Sequence, residues 1–423
     1  MKARPSTRWS GLDNAAKIFP PTSSKQDTKV FRFACELYEE VDPDMLQRAL
    51  DQTLELFPSY QYVLKRGLFW YYFESTDRRP VVSEEDLPPC AALYDRNRRQ
   101  LLFRVSYYHR RINLEVYHAL ADGTGALHFL RMLVYHYLTI RHAGEFVDHL
   151  PPMDYDASLT QKGDDSFKRY YNPEKKSHLG RGEAAYQLKG PRVPEKRIKV
   201  IEGVVSVKAL LAKAREYHTT MTVLLTAAFM CAVAEEIPIR ERKKPVVVTV
   251  PVNLRNFFES ESVRNFFSVM NVGYDFKNNP SDLASVVQHV EAFFRENLTA
   301  EKLEERLNAL SSLERNIFAR ATPLIIKDFA LWVANRSSER EITCSLSNIG
   351  KVNMPEPLHP YIRLFDVFVS TDKLQICMCS FLDNLSIAFT SSFISADIQK
   401  RFFRILTDMG LEAEIVTNLV DEE

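Results

Sequence analysis

The residues best equipped for chemistry stand in one short string, His118-Ala119-Leu120-Ala121-Asp122-Gly123. A histidine ordinarily titrates at about 6.5, so its neutral imidazole can take a proton from an alcohol, amine or thiol and return it at the same pH. Asp122 has two uses at this spacing: it orients the ring, or it makes an ion pair that fixes the shape of the loop. Gly123 admits a backbone conformation that a side chain would penalise. With 10 histidines and 13 glycines in 423 residues, chance supplies only about 0.02 strings of the form H-x-x-x-D-G. The same residue types also allow a plainer arrangement, a hydrogen-bonded core histidine followed by an aspartate that caps a helix. A metal site is disfavoured: His and Asp four positions apart become two ligands only on a helix, and the sequence offers no second ligand cluster.

The flanking elements must position this string. Residues 101–108 and 113–117 are β-rich runs joined by His109-Arg110-Arg111, the pattern of a hairpin. Downstream, Leu127, Leu130, Leu133, Val134 and Leu138 recur at helical spacing, with Thr124 as the available cap. His118 is therefore expected at a strand end, where a side chain can be held and still face a cleft. Asp122 falls in the turn before a helix.

Earlier in the chain, residues 1–30 read as an extended entry in which Trp9 and Asp13 could line a cleft but, as single residues, fit packing and capping and are given no role. Residues 30–37 form a strand, and Asp42-Pro43 opens a helix whose stripe of Leu46, Ala49, Leu50, Leu54 and Phe57 faces a sheet. Residues 60–64 and the aromatic run Phe69-Trp70-Tyr71-Tyr72-Phe73 are strand candidates with a core role. From 151 to 195 the character changes. Pro151-Pro152, Gly163-Asp164-Asp165, Lys175-Lys176 and Gly180-Arg181-Gly182 interrupt any apolar period, marking a crossover linker whose basic residues read as a solvated face. The chain thus divides into residues 1–150, the linker 151–195, and residues 196–423.

In the second half Ser206 and Thr220 can each cap a helix, and Val246–Val250 is a β-branched run suited to a strand buried on both faces. That run leads into Pro251-Val252-Asn253-Leu254-Arg255. Residues 264–274 read as loop into strand, Pro280-Ser281-Asp282 opens a long helix, and a further helix is expected over 313–333. Residues 342–350 end a strand in Ser347-Asn348-Ile349-Gly350. A meander of strands over 362–369, 374–381 and 385–390 and a helix over 395–409 follow.

Composition narrows the possible functions. Lys+Arg and Asp+Glu both number 55, so no general electrostatic argument favours nucleic acid or an anionic membrane, leaving room only for local basic patches. The N-terminal residues lack the apolar core of a signal peptide, and no later run approaches a membrane span, so a cytoplasmic protein with no integral membrane segment is expected. Six cysteines without a C-x-x-C pair are expected to be reduced and buried.

The string His118-x-x-x-Asp122-Gly123 resembles the signature of the CoA-dependent acyltransferase superfamily, which includes chloramphenicol acetyltransferase, alcohol acetyltransferases and condensation domains of peptide synthetases. The likeness is nearest to stand-alone bacterial alcohol acetyltransferases; where many condensation domains carry two adjacent histidines, this sequence has Tyr117 before His118. The resemblance implies an α/β fold of two chloramphenicol-acetyltransferase-like sandwich halves with the active-site tunnel at their interface. It implies His118 as general base and Asp122 as a structural, orienting residue held by Arg255 in a bidentate ion pair. It also implies that residues 264–274 line the tunnel. The S-N-x-G ending likewise resembles the family's, which makes Ser347 or Asn348 the candidate donor to a developing oxyanion; a turn in which Asn348 and Gly350 satisfy unusual backbone angles is the alternative. No permanent cofactor and no metal are implied. Acyl-CoA is the co-substrate, with a small hydroxyl or amine acceptor, or an acyl carrier protein as donor. A condensation enzyme and a non-catalytic binding module of the same fold are the rival readings.

Overall fold

A computed structural model gives the placement of residues 9–147, 149–153, 165–172, 180, 182–194, 197–315 and 321–418. The strands are β1 (Trp9–Gly11), β2 (Val30–Leu37), β3 (Tyr62–Arg66), β4 (Tyr71–Ser75), β5 (Ser83–Glu84), β6 (Phe103–Tyr108), β7 (Arg111–Tyr117), β8 (Lys199–Ser206), β9 (Val246–Asn253), β10 (Phe267–Tyr274), β11 (Cys344–Lys351), β12 (Ile362–Val369), β13 (Leu374–Phe381), β14 (Asn384–Ser391) and β15 (Ala413–Thr417). They form a five-stranded sheet in the order β12-β2-β7-β6-β5, a seven-stranded sheet in the order β10-β9-β11-β13-β14-β8-β15, and a small sheet β1-β4-β3.

Each large sheet is the floor of one lobe. On the five-stranded sheet lie the Pro43–Leu56 and Gly123–Arg141 helices, which pack on each other. The first starts at Asp42, whose side chain accepts the Met45 N–H, and its buried Leu46, Ala49, Leu50 and Leu54 supply the expected stripe. An aromatic knot centred on Phe129, with Tyr60 stacked at 4.0 Å and Phe57 edge-on at 5.3 Å, fills the space beneath. On the seven-stranded sheet lie the Met221–Glu236, Leu283–Asn297 and Asp397–Asp408 helices. Thr220 and Asp282 cap the first two and Ser206 caps the preceding Val207–Glu216 helix, because a side-chain oxygen satisfies an N–H that the first turn cannot. The Met221–Glu236 helix is buried nearly all round, so its apolarity reflects core packing. All six cysteines are free and buried.

Charged side chains stitch the two sheets together. Arg111 on β7 reaches Glu202 on β8 at 2.9 Å and Glu36 on β2 at 2.8 Å, and Arg363 on β12 reaches the same Glu36 at 2.7 Å. Burial and the neighbouring Asp366 push the Glu202 carboxyl up to about 8.

Four expectations need correction. Residues 362–369 do not form a meander with 374–381 and 385–390. β12 instead pairs antiparallel with β2, from Ile362 opposite Leu37 to Val369 opposite Phe31, covering an edge that would otherwise present unpaired backbone groups. Among the described residues, the helix expected over 313–333 is divided between Ala300–Arg315 and Leu324–Ser338. Pro323 directly precedes the second, and a proline cannot donate within a helix. The aromatic run is not uniformly core: Tyr71 and Phe73 are buried, whereas Phe69 is exposed. Lastly, Asp122 rather than Thr124 caps the Gly123–Arg141 helix. Much of the segment 151–195, including Gly163-Asp164, Lys175-Lys176 and Arg181, lies outside the described residues.

Candidate active site

β7 ends at Tyr117, and the chain leaves it with His118 N donating to Lys29 O at 2.9 Å. Side chains alternate across a strand, so the two neighbours separate. Tyr117 is buried with its hydroxyl 3.0 Å from Ser23 Oγ, while His118 lines a cavity between the lobes. Phe19 stacks on the imidazole at 4.4 Å and Phe31 meets it edge-on at 5.1 Å. These rings clamp the plane of the histidine.

The imidazole's edge is set by a polar chain. Nδ1 stands 3.1 Å from Asn265 Oδ1, and Asn265 Nδ2 donates to Asp13 Oδ2 at 3.3 Å. The same Asp13 oxygen faces the Asn265 N–H at 3.4 Å and Arg264 Nε at 3.6 Å. Asp13 Oδ2 is thus ringed by donors, which turns the amide nitrogen of Asn265 toward Asp13 and its oxygen toward His118. Nδ1 must then carry the ring hydrogen. Among the described residues Nε2 has no hydrogen-bond partner, so its lone pair remains available. Burial holds the His118 pKa below the ordinary histidine value, against the opposing pull of its own backbone, Asp122 and Asn265. The ring is neutral at pH 7, the form a base requires. Burial raises the Asp13 carboxyl above its ordinary value, with Arg264 pulling it back.

Asp122 is fully committed elsewhere. Its Oδ1 accepts the Gly125 N–H at 2.9 Å; its Oδ2 accepts Arg255 Nη1 at 2.7 Å and the Phe266 N–H at 2.8 Å. None of these bonds goes to His118. The ion pair with Arg255 uses one guanidinium nitrogen instead of the expected two, because Nη2 donates to the carbonyls of Ser262 and Arg264 at 2.7 and 2.6 Å and Nε to Ser262 at 3.2 Å. Arg255 therefore ties the helix start to the loop that carries Asn265. Gly123 does not need a positive φ, contrary to its expected role; a Cβ there would come within 2.9 Å of Ile349 Cδ1, a side chain able to move. Gly125 is the stricter position, since a Cβ would fall 2.0 Å from the Val263 carbonyl oxygen.

The cavity has a volume of about 140 Å³ and brings His118, Phe31 and Phe267 together with Ser347, Gln375 and Cys377 of the facing sheet. Ser347 and Cys377 are register partners on β11 and β13. Asn348 is differently employed: Nδ2 donates to Thr222 Oγ1 at 2.9 Å, and Oδ1 accepts the Gly350 N–H at 2.8 Å, across an irregularity in the register of β11 where Gly350 has φ 89°. The Cys377 thiol is pushed up to about 12 by burial, too high to form a thiolate nucleophile near neutrality. Among the described residues no group of three or more His, Cys, Asp or Glu side chains is placed to hold a metal ion.

His118, Asp122, Gly123, Ser347 and Asn348 all line this one cavity, and Arg255 stands behind Asp122. Three further residues were given no individual role in the sequence: Asp13, Phe19 and Asn265, the last falling within the segment 264–274 that the resemblance set along the tunnel. A lone aspartate and a lone asparagine 252 positions apart carry no spacing signal. From sequence, Asp13 could line a cleft or act as the local cap it also is, accepting the Ala16 N–H at 2.8 Å.

No family model and no curated protein sequence matches the chain. Solved structures do. Polyketide synthase associated protein 5 from Mycobacterium tuberculosis matches with a TM-score of 0.58 at 15% identity, over 94% of this chain and 96% of that one. A trichothecene 15-O-acetyltransferase from Fusarium sporotrichioides matches with a TM-score of 0.61 at 11% identity, over 96% of each chain. The starter condensation domain of rhizomide synthetase, in complex with C8-CoA, matches with a TM-score of 0.59 at 12% identity, over 95% of this chain and 94% of that one. The chain has the fold of these acetyltransferases and condensation domains. What it shares with them at such identities is the two-lobed architecture.

Proposed function

We propose that the protein is an acyltransferase that moves an acyl group from acyl-CoA to a hydroxyl or amine acceptor, with His118 as general base. One observation carries the reading: a neutral histidine at the junction of the lobes, held at Nδ1 and open at Nε2, in a cavity of this fold. Nε2 takes the acceptor's proton as the acceptor oxygen or nitrogen attacks the thioester carbonyl. The carbonyl becomes an oxyanion, for which Ser347 is the proposed donor, with Asn348 holding the end of β11 in place. Collapse expels the thiolate, and the proton on Nε2 passes to it. Atoms balance without an acyl-enzyme, in keeping with the unreactive Cys377 thiol. A base of this kind contributes about 10²–10⁴ in rate.

Asp122 acts through structure in this scheme, binding Arg255 and the loop before β10 so that Asn265 meets the ring. The lobes correspond to the divisions 1–150 and 196–423, joined through 151–195, with β12 handed back to the first. The test is free-thiol release from acetyl-CoA and longer acyl-CoAs with a panel of alcohols and amines. Acceptor-dependent release that disappears in His118→Ala supports the proposal; release that survives the substitution rules out His118 as the base.

A further inference from the structure

A surface helix ordinarily turns its apolar stripe inward. The Leu324–Ser338 helix does so only in part, with Leu324 buried and Leu331 half-buried. Asp328 is buried, its Oδ2 accepting from Tyr71 Oη at 2.8 Å, and Lys327 and Asn335 are also partly covered. On the outer side Ile325, Phe329 and Trp332 are 71%, 66% and 47% exposed, with Ile326 and Val333 beside them. The turn between β3 and β4 extends the same surface. Its Leu68 is 74% exposed, and it is tied to the helix by Leu324 N to Leu68 O at 2.9 Å and Lys327 Nζ to Phe69 O at 3.0 Å. Single exposed apolar residues are ordinary, but this many on two joined elements make a contiguous patch.

The charges exposed along the helix itself are of one sign, with Glu339 and Asp372 lying beyond its C-terminal end. Asp328, turned inward, is the only acidic residue between 324 and 338. The Lys17 and Lys327 ammoniums both stand over the Trp70 ring, 5.1 and 3.3 Å from its centre, and Arg336 is exposed toward the other end. Burial and the charge of Lys17 hold the Lys327 pKa below the ordinary lysine value, a repulsion that an anion at this rim would relieve. A second copy of the chain, packed about a two-fold axis, would instead bring these cations against their own kind.

We propose that the Leu324–Ser338 helix and the Leu68-Phe69 turn dock the protein on an anionic lipid surface, apolar side chains entering the acyl boundary and Lys17, Lys327 and Arg336 meeting headgroup phosphates. This inference does not rest on acyl transfer.

The test is co-sedimentation of the full chain with vesicles of phosphatidylcholine alone or mixed with phosphatidylglycerol. Binding is expected to the mixed vesicles, weakened by salt, and lowered roughly tenfold or more by Phe329→Glu with Trp332→Glu. Both positions are exposed, so thermal unfolding should be unchanged. Trp332 is also a natural reporter: brominated acyl chains should quench tryptophan emission, and Trp332→Phe should remove the quenched part. The proposal is overturned if the wild type ignores the mixed vesicles at low salt, if the double variant binds as well as the wild type, or if the patch proves to be the interface of a dimer that the double variant dissociates.

Discussion

Two polar strings end strands on opposite walls of the cavity, and folding leaves them in different states. At the end of β7, His118 has one ring nitrogen held and the other open. At the end of β11, Asn348 has its amide nitrogen bonded to Thr222 and its oxygen to Gly350. The first side chain keeps a lone pair for chemistry, whereas the second is part of the wall. A polar residue beside a cavity is informative chiefly through the hydrogen bonds it has left to make.

Substitutions can break this contrast. His118→Ala should lower acyl transfer by about 10²–10⁴ with little loss of stability, read by thiol release and thermal unfolding on one preparation. Asp122→Ala should act the other way round. It removes the acceptor for Arg255 and for the N–H groups of Gly125 and Phe266, so urea unfolding should show a loss of about 3–5 kcal/mol, the range for leaving one partner of a buried ion pair alone. Equal stability in these two variants would make Asp122 something other than a scaffold. On the facing wall Ser347→Ala should lower kcat by about 10²–10³ with KM little changed. Asn348→Ala should cost about 1 kcal/mol of stability and affect rate less. If Asn348 proves the costlier in kcat, the distinction between the two neighbours fails.

The smallest effect is the most diagnostic of the chain behind the histidine. Asn265→Ala should lower kcat/KM by roughly tenfold, the equivalent of one hydrogen bond, and Asn265→Asp should displace the pH profile. In the wild type the lowered His118 pKa places the acid limb of kcat/KM below the ordinary histidine value, because the base stays unprotonated further into acid. The same sign governs stability: the contribution of neutral His118 is present above the unfolded value and is lost as pH falls through the folded one. A carboxylate at position 265 stabilises the imidazolium, so the acid limb should move to higher pH. An unmoved limb would mean that Asn265 does not face the ring.

Local chemistry was readable along the chain, and distant pairing was not. β2 and the helix caps Asp42, Ser206, Thr220 and Asp282 follow from residues within a turn of one another, which is why their positions could be assigned from spacing. Pro323 is equally local and should have broken the helix expected over 313–333. By contrast, nothing near residues 362–369 records that their partner is β2, since sheet membership is decided by an edge formed more than 300 positions earlier. The string around His118 marks it as the candidate base, but which ring nitrogen is left open is decided by Asp13 and Asn265. The one-nitrogen contact of Arg255 was also hidden, because the carbonyls that occupy the rest of its guanidinium come from a loop of no particular pattern.

The chain from Asp13 through Asn265 to His118 has a consequence for biosynthesis. A ribosome finishes the H-x-x-x-D-G string long before residue 265 emerges, so the nascent first lobe holds its histidine without the partner that fixes the ring hydrogen. A prematurely terminated chain would carry the signature without a poised base. Under the proposed acyl transfer, completion of the second lobe would be a condition for a poised base, and truncated fragments should release no thiol from an acyl-CoA.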